Sequence, residues 1–138
     1  MSLILERIVY VSDARRPDPA LLTLADILAV SDRNNRRDGL TGGLLVTATR
    51  FLQVLEGAHQ DLERTLARIE ADPRHHDLRV LSRHSIEKRC FGSWTMVAAR
   101  ITPSQAGVMD EIVDLSPTDA NAASARVLQL VEDQLRAG

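Results

Sequence analysis

Gln53 is the residue whose chemistry is hardest to explain by packing alone. It sits in Phe51-Leu52-Gln53-Val54-Leu55-Glu56-Gly57, a run that reads as a strand stopped by glycine. Strand alternation sends Phe51, Gln53 and Leu55 to one face, so a primary amide shares an apolar surface. Burying such an amide unpaired costs roughly 1–3 kcal/mol, so it must find partners. The chain offers few polar groups of the right kind. Tyr10 carries a phenol in the middle of an apolar strand, and Asn34 and Asn35 supply two further amides. Trp94 and Met96 add an indole and a thioether near the end of the apolar segments. Together these groups are suited to the edge of a planar heterocycle that bears both donors and acceptors.

Other chemistries find less support. No arrangement resembles a catalytic triad, and neither a G-x-G-x-x-G nor a P-loop is present. Cys90 follows Arg89, which could lower its pKa, but nothing nearby identifies a base. His75-His76 with Asp72 and Asp77 is the one cluster resembling metal ligands, and adjacent residues rarely aim at one ion, so no metal is expected. A net charge of −2 with scattered arginines argues against nucleic acid, and no apolar run approaches the ~20 residues of a membrane span. The start of the chain has no basic region of a signal peptide, and a single cysteine fits a reducing cytoplasm. With 138 residues, 44% hydrophobic and 26% charged, the composition is that of one globular domain with a real core.

The elements that must position these groups can be read in order. Glu6–Ser12 is a strand with Ile8, Tyr10 and Ser12 on one face and Val9 and Val11 on the other. Asp18-Pro19 opens a helix whose stripe of Leu21, Leu24, Ile27, Leu28 and Ser31 projects onward to Asn35, with Asn34 beside it. The plain alternative for the two asparagines is a helix C-cap. Asp38-Gly39 turns the chain into a second strand, Leu40–Thr47, where Gly42-Gly43 permits close backbone approach. A short turn leads into the Gln53 strand. A second helix, Gln60–Ala71, carries Leu62, Leu66 and Ile69 and ends at Asp72-Pro73. Leu78–Ser85 is a fourth strand, 87–93 a loop, and Trp94–Ile101 a last strand with Trp94, Met96 and Ala98 on one face.

This order predicts an α+β ferredoxin-like sandwich, a five-stranded mixed sheet with both helices on one face. The first and third strands are then central neighbours, with Tyr10 and Gln53 side by side. Two C-terminal helices, Pro103–Val113 and Thr118–Arg136, are expected on the other face over Val9, Val11 and Val54. Residues 1–101 form the core of this reading and residues 102–138 a helical extension.

These residues resemble a family closely. Arg7-Ile8-Val9-Tyr10-Val11-Ser12, Arg33-Asn34-Asn35 with Gly39-Leu40-Thr41-Gly42, the Gln53 run, Asp72-Pro73-Arg74-His75 and Arg89-Cys90-Phe91-Gly92-Ser93-Trp94-Thr95-Met96 are similar to BLUF domains, the flavin-binding blue-light sensors. The likeness spans residues 3–101. It implies FAD between the two helices, with Tyr10 as the photoactive tyrosine and Gln53 as the switching glutamine. It implies Asn35 at the flavin's carbonyl edge, Asn34 and Ser31 beside it, and Trp94 and Met96 as a mobile pair. Arg68, His75 and His76 fall where the family places groups near the ribityl phosphate. The implied function is a cytoplasmic photoreceptor, not an enzyme, that signals to a separate partner protein through the last strand and the C-terminal helices. The family's habit of forming dimers or rings implies a homo-oligomer. Val46 stands where an aromatic is common, and no effector domain is attached, as in the short members of the family. The competing readings are a flavin-dependent reductase or an acylphosphatase-like hydrolase on the same sandwich, and a flavin-free interaction module.

Overall fold

The structure is a computed structural model that describes residues 4–14, 21–47, 49–71, 75–92 and 94–137. The side chains of residues 21–27 and of His75 and His76 also lie outside the described set. The expected helix start at Asp18-Pro19 and the Leu21, Leu24 and Ile27 stripe therefore fall outside it too.

The chain runs β1 (Leu5–Ala14), α1 (Leu21–Asp38), β2 (Thr41–Val46), β3 (Arg50–Ala58), α2 (His59–Glu70), β4 (His75–Ile86) and β5 (Val97–Arg100). A 3₁₀ turn (Pro103–Gln105) then leads to α3 (Ala106–Leu115) and α4 (Ala120–Ala137). The five strands lie in the order β4-β1-β3-β2-β5, antiparallel except for the parallel β2–β5 pair. This is the mixed ferredoxin-like sheet expected, with β1 and β3 as central neighbours. Their register sets Tyr10 directly across from Gln53.

Strand alternation assigns the two faces. Ile8, Tyr10 and Leu55 meet Leu62 of α2, while Leu44, Val46 and Phe51 meet Leu28 of α1. On the reverse face, Val9, Leu45, Leu52, Val54 and Phe91 pack with Met109 and Ile112 of α3 and with Ala123, Val127 and Val131 of α4. The C-terminal helices thus cover the face left open by α1 and α2. They do so because their apolar stripes and the even-spaced valines of β1 and β3 need each other to leave water.

Two boundaries differ from the reading of the sequence, and one matters for the site. The last strand covers only Val97–Arg100, so Trp94, Thr95 and Met96 stand before it in a bent segment. The two-residue period does not hold there. Trp94 accordingly packs against the core under α3 and α4, whereas Met96 packs with the clusters under α1 and α2. The expectation that both share one face is corrected. β4 is longer than expected, reaching back to His75.

Candidate functional site

The end of α1 decides what its asparagines can do. Gly39 adopts φ 69°, and the Leu40 amide donates to the Asn35 carbonyl at 2.8 Å, which is the six-to-one closure of a Schellman cap. Glycine takes this left-handed conformation without a Cβ clash, so the helix needs no asparagine to end it. Asn34 and Asn35 are therefore not caps. Asn35 is buried and its Nδ2 donates to the Thr95 carbonyl at 2.6 Å. Asn34 lines the cleft between the helices.

That cleft encloses about 120 Å³ and is bounded by Val30, Ser31, Asn34 and Asn35 of α1, Thr65, Arg68 and Ile69 of α2, and Gln53 on the sheet beneath. Five of the residues proposed from sequence thus meet in one space: Ser31, Asn34, Asn35, Gln53 and Arg68. Tyr10 reaches it through Gln53, since its phenol donates to Gln53 Oε1. The other end of the same amide points at Met96, with Nε2 3.7 Å from the thioether sulfur. Gln53 is 7% exposed and Tyr10 1%, so this three-part contact is shielded from competing water. Trp94 lies away from it, on the opposite face. The positions proposed for His75 and His76 lie outside the described side chains.

Arg68 is held rather than loose. Its Nη2 donates to Asp38 Oδ2 and to Thr65 Oγ1, both at 3.1 Å, which ties α2 to the end of α1. Hydrogen bonds from Arg37 and then Arg68 draw the Asp38 carboxyl down from 3.8 to about 2. On the outer side of α1, Asp32 accepts from the Thr95 hydroxyl and pairs with Arg36 at 3.2 Å. The Thr95 bond, followed by that of Arg36, keeps the Asp32 carboxyl below its ordinary range.

Several of these partners were absent from the sequence reading. Asp32 and Thr95 carried no signal, because neither interrupts an apolar pattern. Arg7 and Glu56 did carry one, for alternation puts them on the face of Val9 and Val54. Both are buried and joined at 2.9 Å, and Glu56 also accepts from the Cys90 and Phe91 amides at 2.7 Å. Arg89 does not act on Cys90. Its guanidinium bonds Thr41, Glu56 O and Gly39 O, and burial pushes the Cys90 thiol up.

A flavin fits this donor set. The ring's donor and acceptor edge is matched by buried amides, its faces by Val30 and Ile69, and a phosphate by the Arg68 cation. The family described as BLUF, sensors of blue-light using FAD, matches residues 5–97. The chain belongs to the BLUF family. As a BLUF domain it is a blue-light sensor that uses FAD. It is 36% identical over 98 residues to the photoactivated adenylate cyclase subunit alpha of Euglena gracilis, covering 70% of this chain and 10% of that protein. The beta subunit of Euglena longa is 35% identical over 70% of this chain and 11% of its own length. This chain therefore spans about a tenth of the length of the curated relatives it matches. Among solved structures, the dark state of the BLUF protein BlrB superposes with a TM-score of 0.74 at 25% identity, covering 91% of this chain and 95% of that one. A bacterial light-regulated adenylyl cyclase gives 0.67 at 29% identity, over 91% of this chain and 36% of its own. These comparisons give no support to a reductase or an acylphosphatase-like hydrolase. Among the described residues, no helix is long and apolar enough to cross a membrane.

Proposed function

We propose that this BLUF domain stores a light signal in the Gln53 amide and hands it on through residues 94–101 and the C-terminal helices. The observation that carries the reading is the amide held at both ends, by the Tyr10 phenol on Oε1 and by Met96 sulfur near Nε2. Asn34, Asn35 and Ser31 hold the edge of the flavin, and Arg68, with His75 and His76, lies toward its phosphates. FAD, when bound, supplies absorption of blue light and a reversible acceptor for one electron. Tyr10 is the electron donor, and its phenolic proton passes to Gln53 Oε1. An amide protonated on oxygen turns more freely, and when the proton returns its two ends have exchanged. A thioether accepts a hydrogen bond but cannot donate one, so the turned carbonyl has no partner at Met96. That asymmetry makes one orientation the resting state and returns the amide in darkness.

In this reading residues 1–101 are the flavin-binding core and 102–138 the extension that presents the signal. The domain catalyses nothing itself. It acts on a partner protein, of which the nucleotide cyclases joined to related sensors are one kind, and it works in the cytoplasm as a homo-oligomer.

The test is an absorption spectrum of the purified FAD-loaded protein before and after blue illumination. A small red shift that reverses in the dark is expected, and Tyr10→Phe and Gln53→Leu should each abolish it with flavin retained. A holoprotein whose spectrum does not change reversibly defeats the proposal.

A further inference from the structure

Residues 94–96 carry the two side chains that flank the Gln53 switch, yet the sheet barely holds them. The β2–β5 ladder begins only at Gly43 and Val97. Ahead of it, the Gly42 amide donates to the Trp94 carbonyl at 3.1 Å, and the Trp94 amide closes a turn on Phe91 O at 3.0 Å. The rest of the grip comes from α1, and it converges on Thr95. Asn35 Nδ2 donates to the Thr95 carbonyl at 2.6 Å, and the Thr95 hydroxyl donates to Asp32 Oδ1. Asp32 and Asn35 are three residues apart and so lie on one helix face, which lets one turn of α1 hold both the main chain and the side chain of Thr95. The neighbours then diverge. Met96 sits 3.7 Å from Gln53 Nε2, and Trp94 packs into the opposite core.

We propose that Asp32 is a positioning residue for the photocycle: through Thr95 it fixes Met96 against the Gln53 amide and keeps Trp94 on the far face. The proposal rests on Gln53 being the switch. Asn35 is committed to the flavin side of α1, so it cannot set the segment alone. Asp32 faces away from the cleft and is free to act as a clip. With the clip intact, the segment returns to one arrangement, and the amide recovers its thioether partner. Without it, the resting arrangement loses a hydrogen bond to a charged acceptor while the illuminated one does not.

The experiment follows dark recovery of the flavin absorption in full-length FAD-loaded protein, together with emission from Trp94, the one tryptophan in the chain. Asp32→Ala should slow recovery on the order of tenfold, the equivalent of one hydrogen bond to a charged group. Thr95→Val, which keeps shape and removes the hydroxyl, should slow it equally and shift the dark Trp94 emission in the same sense. Asp32→Asn and Thr95→Ser retain acceptor and donor and should recover within about twofold of the wild type. The double variant Asp32→Ala/Thr95→Val should be no slower than either single one, because both remove the same bond. Wild-type recovery rates in Asp32→Ala and Thr95→Val overturn the clip while leaving the photoreceptor reading intact. So does an Asp32→Asn variant as slow as Asp32→Ala. A wild-type protein with no reversible shift sinks both.

Discussion

The two faces of the sheet are made from the same strands but filled by opposite rules. Under α3 and α4, thirteen buried residues from Val9 to Val131 form one continuous cluster. Under α1 and α2 the apolar residues split into two smaller clusters, one around Tyr10 and one around Phe51. Between them lie the buried polar groups Gln53, Asn35 and Thr65. The first face keeps the domain folded. The second leaves out apolar volume where a ligand enters and places amides where apolar residues would pack better. A sensor needs this division, since a site with two nearly equal arrangements must sit on something that has only one.

The largest test of the division is the buried ion pair at the end of the rigid face. Glu56 is 0% exposed and accepts from Arg7, Thr41 and the amides of Cys90 and Phe91. Arg7 in turn reaches Asn121 of α4 at 2.9 Å. Glu56→Ala strands a buried guanidinium and should cost about 3–5 kcal/mol, read as a lower urea midpoint. Many buried pairs can be replaced together by apolar residues at little cost. This one should not tolerate it. In Arg7→Met/Glu56→Leu the Cys90 and Phe91 amides still lose their acceptor, at roughly 1–3 kcal/mol each. A double variant as stable as the wild type shows that the pair is dispensable and removes the contrast at this corner.

Next in size is the seam between β2 and the loop after β4. A Cβ on Gly43 lies 2.6 Å from the Phe91 ring, and that ring is fully buried within the continuous cluster. It has no space to swing into. Gly43→Ala should therefore cost about 1–3 kcal/mol by overpacking, and Gly43→Ala/Phe91→Leu should regain part of it. If the single substitution is neutral in thermal unfolding, the rigid face is looser than its packing implies.

The contrast also explains what the sequence made legible. Whatever follows from alternation or helical spacing came through: the strand order, the Tyr10–Gln53 pairing and the placement of the C-terminal helices. Those features are periodic, and periodicity is what a lone sequence records best. The residues that set local geometry within the site did not come through. Trp94 was placed beside Met96 because a strand was extended three residues too far, and a bend has no period to read. Asp32 and Thr95 look like ordinary surface polar residues, and only the approach of α1 to the 94–96 segment gives them a role. Gly39, rather than either asparagine, ends α1, and that single cap is what releases Asn34 and Asn35 for the cleft.

The smallest effect concerns how the adaptable face is closed. Asp38 joins α1 to Arg68 of α2 at 3.1 Å and accepts from Arg37 at 2.9 Å. These bonds lower its carboxyl from 3.8 in the unfolded chain to about 2 in the fold. A depressed acid stabilises the folded state only while it is ionised there. The contribution is thus complete above 3.8 and fades as the pH falls toward about 2. Arg37 is 60% exposed and Arg68 39%, so water screens the pairs and holds the gain to less than about 1 kcal/mol. Melting temperatures of the wild type and Asp38→Asn should converge as acid neutralises the wild-type carboxylate, and added salt should narrow the gap at neutral pH. The Arg7–Glu56 pair, being sealed from solvent, should show no such response to salt. Equal salt sensitivity at the two pairs is the result that denies the faces their different construction.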